Sequence, residues 1–136
     1  MSDFPQIFRV RQQFPRPHIA DAAAAVQAEL ARLPLDQRVQ PGQSVAITAG
    51  SRGIANIAVI IKAIVDHLKT LQLQPFIVPA MGSHGGGTAE GQREIIEGYG
   101  ITEEFCGCPI RASMETVVVT DAAEGFPVHY DKHGIQ

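Results

Sequence analysis

The apolar positions of the chain follow two different periods, and each period predicts one kind of element. Across Ile54–Leu71 apolar side chains recur every three or four positions, which is the period of one face of a helix. Short apolar runs typical of buried parallel strands flank this stretch, at Ser44–Thr48 and Pro75–Pro79. A strand, a helix and a strand with short connections predict a right-handed parallel crossover unit.

Further elements are predicted on both sides of this unit. Ile7–Arg11 alternates apolar and basic residues, which predicts a strand with one solvent face, and Ala-rich His18–Leu33 has helical spacing. Together these elements predict one α/β domain over residues 1–136, with an open, mainly parallel sheet and helices on both faces, a Rossmann-like three-layer arrangement. The later predicted elements are a helix that Thr88 precedes and caps, that continues to about Tyr99 and that Gly100 ends, and strands at Met114–Thr120 and Phe126–Tyr130.

Composition and charge exclude several classes of protein. Hydrophobic residues make up 45% of the chain and charged residues 18%, as in a globular protein. The net charge is −3 without a cluster of Lys or Arg, so no nucleic-acid partner is expected. No apolar run approaches the roughly 20 residues of a membrane span, and Met1–Pro5 lacks the pattern of a secretory signal. With Cys106 and Cys108 as its only cysteines, we expect a soluble, reduced, cytoplasmic protein without a membrane partner.

Two loops rich in small residues, Gly50–Ile54 and Met81–Thr88, each follow a predicted strand and lead into a predicted helix. In open α/β sheets ligands bind at this edge, where unpaired backbone N–H groups suit carboxylates or phosphates. The residues predicted to form such a backbone cradle for an anion are Gly50, Gly53, Ser83, Gly85, Gly86 and Thr88.

Three side chains in these loops are the candidates for direct contact with a substrate. The planar guanidinium of Arg52 can grip a carboxylate through two hydrogen bonds, and Ser51 beside it is assigned with it to substrate binding. His84 lies among glycines that would let a ligand approach, and a histidine can accept and return a proton at neutral pH. The alternative is that Arg52 and His84 are solvated residues on two tight turns.

The sequence predicts no metal site. His129 and His133 are four residues apart, but on a strand that spacing is about 13 Å, too far for a shared ion. Cys106-Gly107-Cys108 is shorter than the usual zinc spacing and has no second pair to complete a tetrahedral site. A two-thiolate site or a strained redox pair stays open for these two cysteines.

The segments Val45–Ile54 and Val78–Gly86 resemble the N-terminal domain of the nickel-pincer lactate racemase family, and the similarity extends over approximately Ile7–Thr120. The landmarks are an arginine just after one strand and a Gly-x-His after the next. The resemblance implies racemisation of a 2-hydroxy acid by hydride transfer to a nickel-pincer nucleotide, while a histidine takes the hydroxyl proton. By the same resemblance, His84 matches an acid/base histidine and Arg52 matches the arginine that holds the substrate carboxylate.

The sequence departs from the family pattern in two ways: two residues expected beside the substrate differ, and several functional residues of the family have no counterpart in these 136 residues. Ala49 stands where the family commonly has Asp, and Gly53 stands where the lactate enzymes often have Pro, which points to a hydroxy acid other than lactate. The second acid/base histidine, the cofactor-bearing lysine and the nickel-binding histidine belong to later family sequence. The resemblance therefore implies an N-terminal fragment that lacks its C-terminal domain, holds no covalent cofactor and is inactive alone.

The leading hypothesis is the substrate-binding and acid/base domain of a 2-hydroxy acid racemase or epimerase. The alternative is a module that binds small anions or phospholigands without catalysis. A third reading is an interaction domain that pairs with the missing partner domain, and a homo-oligomer is left open.

Overall fold

The computed structural model describes residues 7–135. The expected lack of a secretory signal rests on Met1–Pro5, which lie outside the described residues, as does Gln136. Within that range no helix combines the length and the apolar character that crossing a membrane requires. The helices are α1 (Ala22–Leu30), α2 (Ile57–Thr70), α3 (Ala89–Gly98) and α4 (Glu103–Cys106), and the strands are β1 (Ser44–Ala49), β2 (Gln74–Pro79), β3 (Thr116–Asp121) and β4 (Pro127–Asp131).

The predicted parallel crossover is confirmed. Strands β1 and β2 pair in parallel, in register from Ser44 opposite Gln74 to Ala49 opposite Pro79, and α2 connects them. Helix α2 begins at Ile57, three residues later than predicted, because Asn56 adopts a left-handed backbone with φ of 61° that no regular helix accepts. Equal register at the carboxyl ends means that the two following loops leave the sheet side by side.

The core lies on one face of this parallel pair. Ile47 and Ala49 of β1 share that face with Ile77 of β2, since alternate residues of a strand point the same way. Helices α2, α3 and α4 contribute buried residues to the same core, and Ile110 forms a parallel bridge to Ile77. The fold is therefore mixed α/β with small sheets, as predicted at the level of class, and its parallel sheet is a pair of strands.

The hairpin formed by β3 and β4 is the second sheet. Both strands lie close to their predicted positions and pair antiparallel. A cavity of about 300 Å³ separates β4 from the other face of the parallel pair, with Thr48 and Val78 on one wall and Tyr130 on the other. The same cavity reaches Ala80, the residue at which β2 passes into the loop that bears His84.

Two elements differ from the sequence prediction at the N-terminal side. The strand predicted at Ile7–Arg11 is wrong: these residues form no regular structure, and Ile7 is 99% exposed, because no neighbouring strand offers hydrogen bonds to them. The helix predicted at His18–Leu33 is shorter, since α1 starts only after Asp21, whose side chain caps it by accepting from the backbone N–H of Ala24 at 2.9 Å.

Candidate functional site

The structure brings the two predicted loops together at the carboxyl edge of the parallel strands. The backbone N–H of Ala80 donates to the carbonyl of Ala49 at 2.8 Å, which extends the β1–β2 pairing one residue into the loops. The two strands therefore end level with each other, and the loops that follow them start at the same edge of the sheet. Gly50–Ile54 and Met81–Thr88 form one continuous surface.

Ser51 and His84 are in direct contact across this surface. The distance from Ser51 Oγ to His84 Nδ1 is 2.5 Å, although the two residues are 33 positions apart in the chain. Ser51 is half-buried and His84 is exposed, so the imidazole remains open to a ligand while one of its nitrogens is engaged. This contact joins the arginine-bearing loop to the histidine-bearing loop.

Tyr99, at the end of α3, also restrains the loop Gly50–Ile54. Its hydroxyl group donates to the carbonyl oxygen of Ser51 at 2.9 Å. The sequence analysis missed Tyr99, because nothing in the helical period indicates that the C-terminal end of α3 returns to the loop that follows β1. The contact restrains the backbone of Ser51 independently of the side-chain contact to His84.

Gln92 of α3 holds the second loop. Its side chain is only 7% exposed, and its amide Nε2 donates to the carbonyl oxygen of Gly82 at 2.7 Å. A buried amide without a partner would cost about 1–3 kcal/mol, so this hydrogen bond fixes the loop as well as satisfying the side chain. The sequence contains a signal for this role, because Gln92 is a polar residue four positions before Ile96 and so shares the inner face of the helix with it.

Thr88 and two glycines complete the support beneath His84. As predicted, Thr88 caps α3: its hydroxyl accepts from the N–H of Gly91 at 3.1 Å and donates to the carbonyl of Gly85 at 3.1 Å. Gly85 has a φ of +64°, and a Cβ on Gly91 would lie 2.1 Å from the carbonyl oxygen of Gly85. The loop can pack this closely on α3 only because both positions are glycine.

The remaining predicted residues lie in the same two loops. Arg52, the predicted carboxylate ligand, and Ser83, of the predicted cradle, are exposed, and Arg52 makes no ion pair with any residue in 7–135. The loop that contains Gly50 and Gly53 does not lead straight into α2, so the expected helix start beside an anion is present only at α3. At the start of α3 the hydroxyl of Thr88 already forms hydrogen bonds with the backbone of Gly85 and Gly91.

The described residues do not offer a ligand set for nickel. Residues 7–135 contain no group of three or more His, Cys, Asp or Glu side chains placed to hold an ion, and His129 Nδ1 pairs with Thr116 Oγ1 at 2.9 Å. Cys106 and Cys108 are buried, free thiols, and burial raises the pKa of Cys108 to about 11, which disfavours the thiolate that binds metals. No chemical step is therefore assigned to a metal held by these residues.

Comparison of the chain with protein-family models, with curated proteins and with solved structures finds no match in any of the three. The resemblance to the nickel-pincer racemases accordingly rests on the residues of the two loops, and it stays a prediction.

Proposed function

We propose that this chain provides the substrate-binding and acid/base part of a racemase or epimerase that acts on 2-hydroxy acids. The observation that supports the proposal most strongly is the contact between Ser51 and His84. It brings an imidazole to the loop that carries Arg52, at the strand edge where α/β enzymes bind small ligands.

Each of the two charged or titratable side chains has one role in this proposal. Arg52 binds the substrate carboxylate through two charge-assisted hydrogen bonds, for which its exposed guanidinium has no competing partner in 7–135. His84 accepts the proton of the 2-hydroxyl group and later returns it. Gln92, Thr88 and Tyr99 hold the backbone of the two loops in place, which lowers the entropic cost of productive binding.

The rest of the reaction belongs to parts of the enzyme beyond these residues. The family that the loops resemble uses a nickel-pincer nucleotide, and we propose that another domain would hold such a cofactor, which would supply a hydride acceptor for the α-carbon. We also propose that β1 and β2 belong to a larger, Rossmann-like sheet with helices on both faces. In support, the outer edge of β1 pairs with no strand in 7–135.

A second candidate is a module that binds small anions without catalysis. The observation that favours it is the exposed guanidinium of Arg52, which forms no ion pair within residues 7–135 and lies on an open loop, where it could hold any carboxylate or phosphate. The two candidates differ in whether His84 contributes to recognition of the ligand.

A titration followed by ¹H–¹⁵N spectra separates these candidates. We would titrate the chain with a series of 2-hydroxy acids that differ in their side chains, with the matching acids that lack the hydroxyl group, and with sulfate; lactate and propionate are one such pair. Arg52→Ala should weaken binding of the best-bound 2-hydroxy acid about 10- to 100-fold, because a charged hydrogen bond contributes about 1.5–3 kcal/mol. Arg38→Ala, at an exposed arginine after the turn Leu35–Gln37, is the matched control and should change nothing.

The dependence on His84 then decides between catalysis and simple binding. We expect at least one 2-hydroxy acid to bind more tightly than its counterpart without the hydroxyl group, and His84→Ala to remove this preference while leaving binding of the carboxylate. Equal affinity within every pair of acids would leave only the anion-binding module, and no effect of Arg52→Ala would refute both candidates. In the cofactor-loaded complete enzyme, His84→Ala should abolish racemisation, and undiminished turnover would exclude His84 from the reaction.

A further inference from the structure

We propose that Ser51 is a positioning residue that sets the tautomer of His84, so that Nε2 is the nitrogen that exchanges the proton with the substrate. The inference rests on the proposed function for the substrate and for the role of His84 as a base, whereas the contact itself concerns Ser51 and His84 alone. The contact of 2.5 Å between Ser51 Oγ and His84 Nδ1 occupies one ring nitrogen. Because the two nitrogens of an imidazole point to different sides of the ring, Nε2 is left for a ligand.

The direction of this hydrogen bond follows from the chemistry that His84 performs. In neutral imidazole one nitrogen donates and the other accepts, so a base at Nε2 requires the proton to be on Nδ1. Nδ1–H then donates to Ser51 Oγ, and the same bond persists after Nε2 has taken a second proton. If Ser51 donated instead, Nε2 would carry the proton in the neutral state and could not accept another from a hydroxyl group.

Both partners of the contact are held by other groups. Tyr99 donates to the carbonyl oxygen of Ser51, and the loop that bears His84 is fixed through Gln92 and the close packing of Gly85 on Gly91. Little conformational freedom remains to be lost when the hydroxyl and the imidazole meet. This arrangement is suited to fixing the ring orientation, and it gives Ser51 a role different from the direct substrate contact that its position beside Arg52 suggests.

The tautomer can be measured without substrate or cofactor. Long-range ¹H–¹⁵N correlation spectra of the ¹⁵N-labelled chain at about pH 8.5, two units above the ordinary histidine titration, distinguish a protonated Nδ1 from a protonated Nε2. We expect Nδ1–H to dominate in the wild type and in Ser51→Thr, which keeps the hydroxyl group. Ser51→Ala should move the tautomer ratio about threefold to tenfold toward Nε2–H, the equivalent of one hydrogen bond.

Ser83→Ala is the matched control, because Ser83 is adjacent to His84 in the chain and makes no hydrogen bond to it. It should leave the ratio unchanged. Backbone amide shifts of Gly82–Thr88 in Ser51→Ala report whether the loop itself has kept its conformation. A dominant Nε2–H in the wild type, or an equal ratio in Ser51→Ala with the loop intact, would overturn the inference.

Kinetics of the complete enzyme separate this inference from the proposed function. A positioning residue affects proton transfer, so Ser51→Ala should lower kcat with little change in KM, whereas loss of a carboxylate contact would raise KM. If the chain fails to bind any 2-hydroxy acid, the proposed function is refuted even where the tautomer depends on Ser51. If 2-hydroxy acids bind as proposed but Ser51→Ala leaves the tautomer ratio of His84 unchanged, only the inference about Ser51 fails.

Discussion

Gly91 provides the sharpest test of how the His84 loop is packed. It lies inside α3, where replacement of glycine by alanine ordinarily stabilises a helix by up to about 1 kcal/mol. Here the added Cβ would lie 2.1 Å from the carbonyl oxygen of Gly85. Since a Cβ atom essentially never comes within 3.0 Å of such an atom, the loop or the helix must move by at least 0.9 Å. Overpacking of this kind costs about 1–3 kcal/mol, so Gly91→Ala should be destabilising in spite of its better helix propensity.

Gly98 is the matched control in the same helix. A Cβ at Gly98 would meet nothing within 4 Å, so Gly98→Ala gains the propensity term without the clash. The free energies of unfolding of the two variants should therefore differ by about 1–3 kcal/mol, which urea denaturation followed by circular dichroism resolves. Spectra of Gly91→Ala should also show shifted amides at Gly82–Thr88. A Gly91→Ala chain as stable as Gly98→Ala, with unshifted loop amides, would refute this account of the packing.

Two further predictions concern stability. Thr88→Ala should lower the free energy of unfolding by about 1 kcal/mol because α3 loses its cap, while Thr88→Ser should keep most of it; equal stability of both variants in urea would contradict the capping role. Burial raises the pKa of Cys108 from 9.0 to about 11, so between these pH values the unfolded chain releases a proton that the folded chain keeps. The free energy of unfolding should accordingly fall by up to about 2–3 kcal/mol as pH rises across that window. Cys108→Ala should show a smaller fall between pH 8 and about pH 10.5. Parallel curves of stability against pH for the two proteins would contradict a raised pKa of Cys108 in the folded chain.

The parallel crossover was predictable because its signal is local and repeated. The three- and four-residue spacing in α2 and the two short apolar runs each specify one element, and short connections leave few ways to join them. The same reasoning fails at Ile7–Arg11, where the alternation is present but a strand also needs a partner, which a local pattern cannot supply. Helix α4 was missed because four residues are too few for any period to show.

The candidate site was predictable in outline and not in detail. The sequence indicates two loops at one strand edge, because parallel strands end on the same side, and the structure shows them in contact. The pairing of Ser51 with His84 depends on register, and the roles of Tyr99 and Gln92 depend on where α3 lies against the loops. Such contacts span tens of residues, and no single-sequence pattern encodes them.

The position of one bound acid decides whether the two loops form a shared acid/base and carboxylate site. A crystal structure of the chain soaked with a 2-hydroxy acid should show its carboxylate on the Arg52 guanidinium and its hydroxyl group within hydrogen-bond distance of His84 Nε2. An acid that sits on Arg52 with its hydroxyl group turned away from His84, or that binds at neither loop, would contradict the shared acid/base and carboxylate site.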